Sequence, residues 1–173
     1  MAILPILKYP DPRLRLASSP IVDFDEALAT LAEDLRQTMI HAPGSGLAAP
    51  QVDRQVRLIV VDNTQEDEEY GHNVLTLVNP RVVELIGEQL HLEGCLSVIE
   101  LQAEVRRAAA VTVEAQDLQG QPFTFQAQGR QAVILQHEID HLDGVLFLDR
   151  LSRLKREMYR KKLRKNQKMS QNT

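Results

Sequence analysis

Residues 131–142 read QAVILQHEIDHL. Ala132, Leu135, Ile139 and Leu142 recur every three or four positions, the period of one helix face. Asp143 and Gly144 follow and end the predicted helix. Within it His137 and His141 are four apart. Four residues turn through about 400°, so both imidazoles leave one face, one turn apart. A tetrahedral metal needs that geometry from two ligands of one helix. Glu138 stands beside the first histidine and can reach a water on such a metal without taking a ligand position.

Two histidines need a third protein ligand. Cys95, His91, His41, His72 and the carboxylates are the candidates. Cys95 follows Gly94 in LEGCLS, and a glycine there lets backbone approach closely. Its thiolate would bind a borderline or soft divalent metal strongly. A lone cysteine is equally well read as a small buried hydrophobe. A further segment, GSGLAAPQ at 44–51, is rich in small residues and ends on the amide of Gln51. No Lys or Ser/Thr follows it in phosphate-loop spacing.

Outward from these segments the elements can be placed. Asp23 and Glu26 predict a capping box opening a helix, with Leu28, Leu31, Leu35 and Met39 on one stripe. That helix should stop near His41, before Pro43-Gly44. Residues 56–62 read as a buried strand and 63–73 as an acidic surface loop. Strands are predicted over 74–79 and 82–86, broken at Pro80, with a hairpin over 105–116 and 122–128. A last helix should open near Asp149 or Leu151, carry Leu151, Leu154 and Met158 as its stripe, and fray beyond Asn166. Strands mostly precede the central helix rather than alternating with helices, so the class is α+β.

At 173 residues with 43% apolar and 25% charged, the chain suits one folded domain and not a disordered one. No run approaches the ~18 apolar residues of a membrane span, so no membrane partner is expected. The first residues lack the pattern of a secretory leader, which makes a cytoplasmic location the expectation. A single cysteine excludes an internal disulfide. With no tryptophan and 4% aromatic residues, stacking on bases is disfavoured, and no sequence-specific nucleic acid is expected. Charge is segregated. Residues 150–173 hold ten of the twenty Lys and Arg and one acid, Glu157, whereas 1–149 hold 23 acids. We read 1–149 as a catalytic body and 150–173 as a basic helix and tail of the same domain. The basic end can face a polyanion, its own acidic body, or solvent.

Taken together, GSGLAAPQ at 44–51, EGCLS at 93–97 and QHEIDHL at 136–142 resemble the three ordered motifs of the peptide deformylases. The resemblance spans most of the chain. It implies an α+β fold with mixed and antiparallel strands around a central metal-binding helix. It implies hydrolysis of the formyl group from the N-terminal formyl-methionine of nascent polypeptides, releasing formate. By the same resemblance Cys95, His137 and His141 are the metal ligands and Glu138 the general acid/base. Gln51 and the backbone N–H of Leu96 would hold the oxyanion. One divalent metal is implied, Fe²⁺ foremost, with Ni²⁺, Co²⁺ or Zn²⁺ able to replace it. An extended peptide could pair with backbone at Ser45, Gly46 and Gly94. Val133 and Ile134 are either walls of a methionine pocket or ordinary core. The family's C-terminal helix is associated with ribosome docking, and the ten positive charges over residues 150–168 suit phosphate contacts.

The chain departs from the family pattern at the rim. After EGCLS the usual Pro and following Arg are replaced by the run Val98-Ile99-Glu100-Leu101-Gln102. Pro43 stands where an acid is common, and Arg130 where an apolar residue is common. Arg107 matches a family arginine and is expected either to pair with Asp140 or to lie on the surface. Two competing readings are an HExxH metallopeptidase with a different third ligand, and a ribosome-associated homologue that has lost catalysis.

Overall fold

Among the described residues three α-helices and seven strands follow one another as α1 (Glu26–His41), β1 (Gly46–Ala48), β2 (Leu58–Asp62), β3 (Val74–Ile86), β4 (Gln89–Cys95), β5 (Val98–Arg107), β6 (Ala110–Gln116), β7 (Pro122–Gln128), α2 (Gly129–Leu142) and α3 (Arg153–Ser170). The computed structural model describes residues 2–64, 69–70 and 73–170. His72 and most of the predicted acidic loop lie outside them. Five strands form one sheet in the order β1-β2-β3-β6-β7, and β4 and β5 form a second. Every ladder between the named strands is antiparallel. The expected α+β architecture is therefore present.

The large sheet is covered on both faces, which explains why β2 reads as an unbroken apolar run. Ile59 and Val61 point toward α2 and pack with Ala132, Leu135, Ile139 and Leu142. Leu58 and Val60 point the other way and pack with Leu28, Leu35 and Met39 of α1. Alternation along the strand feeds both cores. The small sheet packs its inner residues Val98, Leu101, Ala103 and Val105 on Phe147, Leu148, Leu151 and Leu163. That arrangement presses the end of β4 toward α2.

Several boundaries differ from the sequence expectations. Strand β3 runs through Pro80. Its register shifts between Val78 and Arg81, and Asn79 has φ 51, so the proline falls at a bulge where no ladder N–H is needed. The Asn79 side chain fixes that bulge, accepting from Ile21 N–H at 2.8 Å and donating to the Ile21 carbonyl at 2.8 Å. The cap of α1 is Asp25, not Asp23: its carboxylate accepts from Leu28 N–H at 3.0 Å. The expected strand over 105–116 is two strands, separated at Ala108-Ala109, and the β4–β5 hairpin is an element beyond the sequence expectations. Helix α3 opens at Arg153 after a short 3-10 helix, Phe147–Arg150. Leu154 and Met158 are exposed, and the buried anchors are Leu151 and Leu163. Among the described residues no helix is long and apolar enough to cross a membrane.

Candidate active site

Helix α2 delivers two imidazoles and the end of β4 delivers a thiol. His137 Nε2 lies 3.2 Å from His141 Nε2, which lies 3.3 Å from Cys95 Sγ. All three donor atoms fall within 4.8 Å of one another. Ligands held about 2.0–2.3 Å from a tetrahedral ion stand about 3.3–3.7 Å apart, so these donors can share one. A thiolate with two imidazoles suits a borderline divalent cation. Among the described residues no other group of three His, Cys, Asp or Glu has this convergence. His91 lines the neighbouring cavity instead, and His41 is exposed at the end of α1.

The rings are held from behind. His137 Nδ1 hydrogen-bonds Glu93 Oε2 at 2.8 Å, which aims Nε2 at the cluster. Arg107 grips Glu93 through Nε at 2.7 Å and Nη2 at 2.9 Å, and donates Nη1 to Asp140 at 2.6 Å. Arg150 adds two bonds of 2.5 Å to the Asp140 carboxylate. The expected Arg107–Asp140 pair is present, and it belongs to a longer chain of charges. Burial alone would raise the Glu93 carboxyl, but Arg107 and His137 hold it at about 2. Burial also opposes a charge on His137, yet Cys95 and Glu93 push that imidazole well up. Burial, and then His137 itself, push His141 down.

Glu138 is buried on α2 and turns to the cavity side of the cluster. An added Cβ at Gly46 would stand 2.5 Å from Glu138 Oε1, so that glycine is required where the carboxyl lies. Burial foremost pushes this carboxyl up to about 7. Its Oε2 makes no hydrogen bond among the described residues. The Gln51 amide is oriented without ambiguity. Oε1 accepts from Ala48 N–H at 2.8 Å, so Nε2 points to Ser97 Oγ at 3.1 Å and Cys95 Sγ at 3.7 Å. Cys95 pairs with Val98, so Leu96 and Ser97 form the two-residue turn of the small sheet.

A cavity of about 1130 Å³ opens beside Glu138 and His137. Ser45, Gly46, Gly94, Val133 and Ile134 all line it. Ile134 lines the cavity and also packs in the α2 core. Arg130 reaches across the mouth to Ser45 Oγ at 2.5 Å. Leu101 and Gln102, in the segment that departs from the family pattern, line the wall as well. Sequence reasoning gave no part to Glu93 or Lys8. Glu93 was detectable, because it precedes Cys95 by two positions in a strand and shares its face. Nothing in the local sequence marks Lys8, whose Nζ meets the Leu96 carbonyl at 2.6 Å.

The family model of polypeptide deformylase matches residues 3–157. The chain belongs to the polypeptide deformylase family. It is 51% identical over 171 residues to peptide deformylase 2 of Xanthomonas axonopodis pv. citri, covering 97% of this chain and 98% of that one. Over 165 residues it is 49% identical to the peptide deformylase of Desulfotalea psychrophila, with 95% and 97% covered. The crystal structure of a peptide deformylase from Legionella pneumophila superposes with a TM-score of 0.88 at 45% identity, covering 99% of both chains. The protein is therefore an enzyme that removes the N-terminal formyl group of nascent peptides, in a family that depends on a metal. Neither the metallopeptidase reading nor the inactive-homologue reading finds support.

Proposed function

We propose that deformylation here runs on Cys95, His137 and His141 as ligands of one divalent cation, with Glu138 carrying the proton. The observation that supports this most directly is the convergence of the three donor atoms within 4.8 Å on the cavity that Glu138 lines. The cation, when bound, supplies a Lewis acid and lowers the pKa of a coordinated water. Fe²⁺ is the expected metal, and Ni²⁺, Co²⁺ or Zn²⁺ suit the same donors. The carboxylate of Glu138 takes a proton from the attacking water and passes it to the departing amine nitrogen. The C–N bond of the formamide breaks, leaving formate and a free N-terminal amine. Negative charge gathering on the formyl oxygen meets the Gln51 amide and the Leu96 N–H.

The peptide would lie along the backbone of Ser45, Gly46 and Gly94, with the methionine side chain against Val133 and Ile134. Main-chain pairing is tolerant of sequence, which suits an enzyme acting on many chains. The basic face of α3 is the proposed ribosome contact, and a cytoplasmic location follows from such a partner. Residues 150–173 belong to the same domain as 1–149, a reading supported by Arg150 on Asp140 and by buried Leu163.

Anaerobic purification with metal analysis, then formate release from formyl-methionyl peptides, tests the assignment. Stoichiometric metal and formate release are expected, with no cleavage of unformylated peptides. A Cys95→Ala variant that keeps its metal would refute the ligand set.

A further inference from the structure

Three consecutive residues of the N-terminal segment each bind a piece of the proposed oxyanion pocket. Leu7 N–H donates to the Gln51 carbonyl at 2.7 Å. Lys8 Nζ donates to the Leu96 carbonyl at 2.6 Å. Tyr9 N–H donates to the Ser97 carbonyl at 2.8 Å. Both carbonyls of the Leu96–Ser97 turn are thus held by one strand of chain, which also holds the backbone of Gln51. Ser97 in turn receives the Gln51 amide at 3.1 Å and is fully buried.

From this we infer that Lys8 is a positioning residue for the deformylation step, fixing the Leu96–Ser97 turn so that its oxyanion donors are aimed before substrate arrives. The inference rests on the proposed roles of Gln51 and Leu96. The main-chain bonds from Leu7 and Tyr9 survive any side-chain change, whereas the Lys8 bond to the Leu96 carbonyl depends on its side chain. An ammonium on a carbonyl is a charge-assisted bond. Lys8 also lines the cavity wall. Preorganised donors lower a barrier because no reorientation is left for the moment of reaction.

The test compares Lys8→Met and Lys8→Arg in the full metal-loaded chain, with kcat and KM on a formyl-Met tripeptide and metal content on the same samples. In Lys8→Met, kcat falls about tenfold, a fraction of the ~10²-fold that a 1 Å misplacement can cost. KM and metal content hold, and Lys8→Arg restores most of kcat. Added to Gln51→Ala, the Lys8 substitution costs less than it does alone, because both act through one pocket. A Lys8→Met enzyme with unchanged kcat, or one whose loss of rate matches its loss of metal, overturns the inference. Full kcat in Gln51→Ala would instead defeat the oxyanion reading itself, whatever Lys8 does.

Discussion

The carboxyl group of Glu138 lies directly against the α-carbon of Gly46, where a Cβ would stand 2.5 Å from Oε1 and 2.7 Å from Cγ. Gly46→Ala must therefore move the Glu138 carboxyl while leaving the three metal donors alone. We expect kcat to fall roughly 10²-fold, the scale of a displaced catalytic group. Metal content should stay at the wild-type level. Steady-state kinetics on metal-quantified samples check it, and an unchanged kcat would mean the carboxyl has no fixed place in the reaction.

Glu138→Gln keeps the shape of the side chain and removes its ability to accept a proton. General acid–base transfer contributes about 10²–10⁴ in rate, and that is the expected loss. Formate release and metal analysis on one preparation give the answer. Full activity with full metal would remove Glu138 from the mechanism.

Arg107 sits between two buried carboxylates, Glu93 and Asp140. Arg107→Met strands Glu93 in the interior with His137 as its remaining partner among the bonds described. Breaking a buried pair by deleting one member costs about 3–5 kcal/mol. Urea unfolding at neutral pH should show that loss. Because Glu93 also orients His137, metal affinity should drop about 10–100-fold, read by competition with a chelator.

The same carboxyl sets an acid limit. Arg107 and His137 outweigh burial and depress Glu93 in the folded state to about 2, from an ordinary 4.5. A depressed carboxyl stabilises the fold above its unfolded value, and that stability is lost as pH falls through the folded value. Stability should thus decline between about pH 5 and pH 2. Chemical denaturation across that window should show a shallower decline in Glu93→Gln.

Much of this was legible beforehand because it is local. Helical spacing placed His137, Glu138 and His141, and the apolar stripe of α2 fixed which face meets the sheet. Resemblance selected Cys95 from several candidate ligands and gave Gln51 its role, since no spacing rule connects either to α2. Pro80 misled because a bulge, held by Asn79 reaching to Ile21, depends on residues far apart in sequence. The cap falls on Asp25 rather than Asp23, since both precede the stripe and only backbone geometry separates them. Lys8 left no trace, since its partner is a carbonyl 88 positions away.

On α3, Lys161, Arg164 and Lys165 are exposed, whereas Leu163 is buried and Tyr159 donates to the Gln102 carbonyl at 2.9 Å. Replacing the three exposed cations with Gln should weaken ribosome binding and flatten its salt dependence, with catalysis on free peptides intact. Sedimentation with ribosomes at several salt concentrations measures this. Binding unaltered at every concentration would exclude this face.

Arg150 gives the C-terminal end a mechanical meaning. It leads into α3 and clamps Asp140, one residue before His141. A surface that seized α3 would pull on the same turn of helix that carries His141. Tethering the enzyme by α3 therefore draws on a segment joined through Arg150 to Asp140, the neighbour of His141.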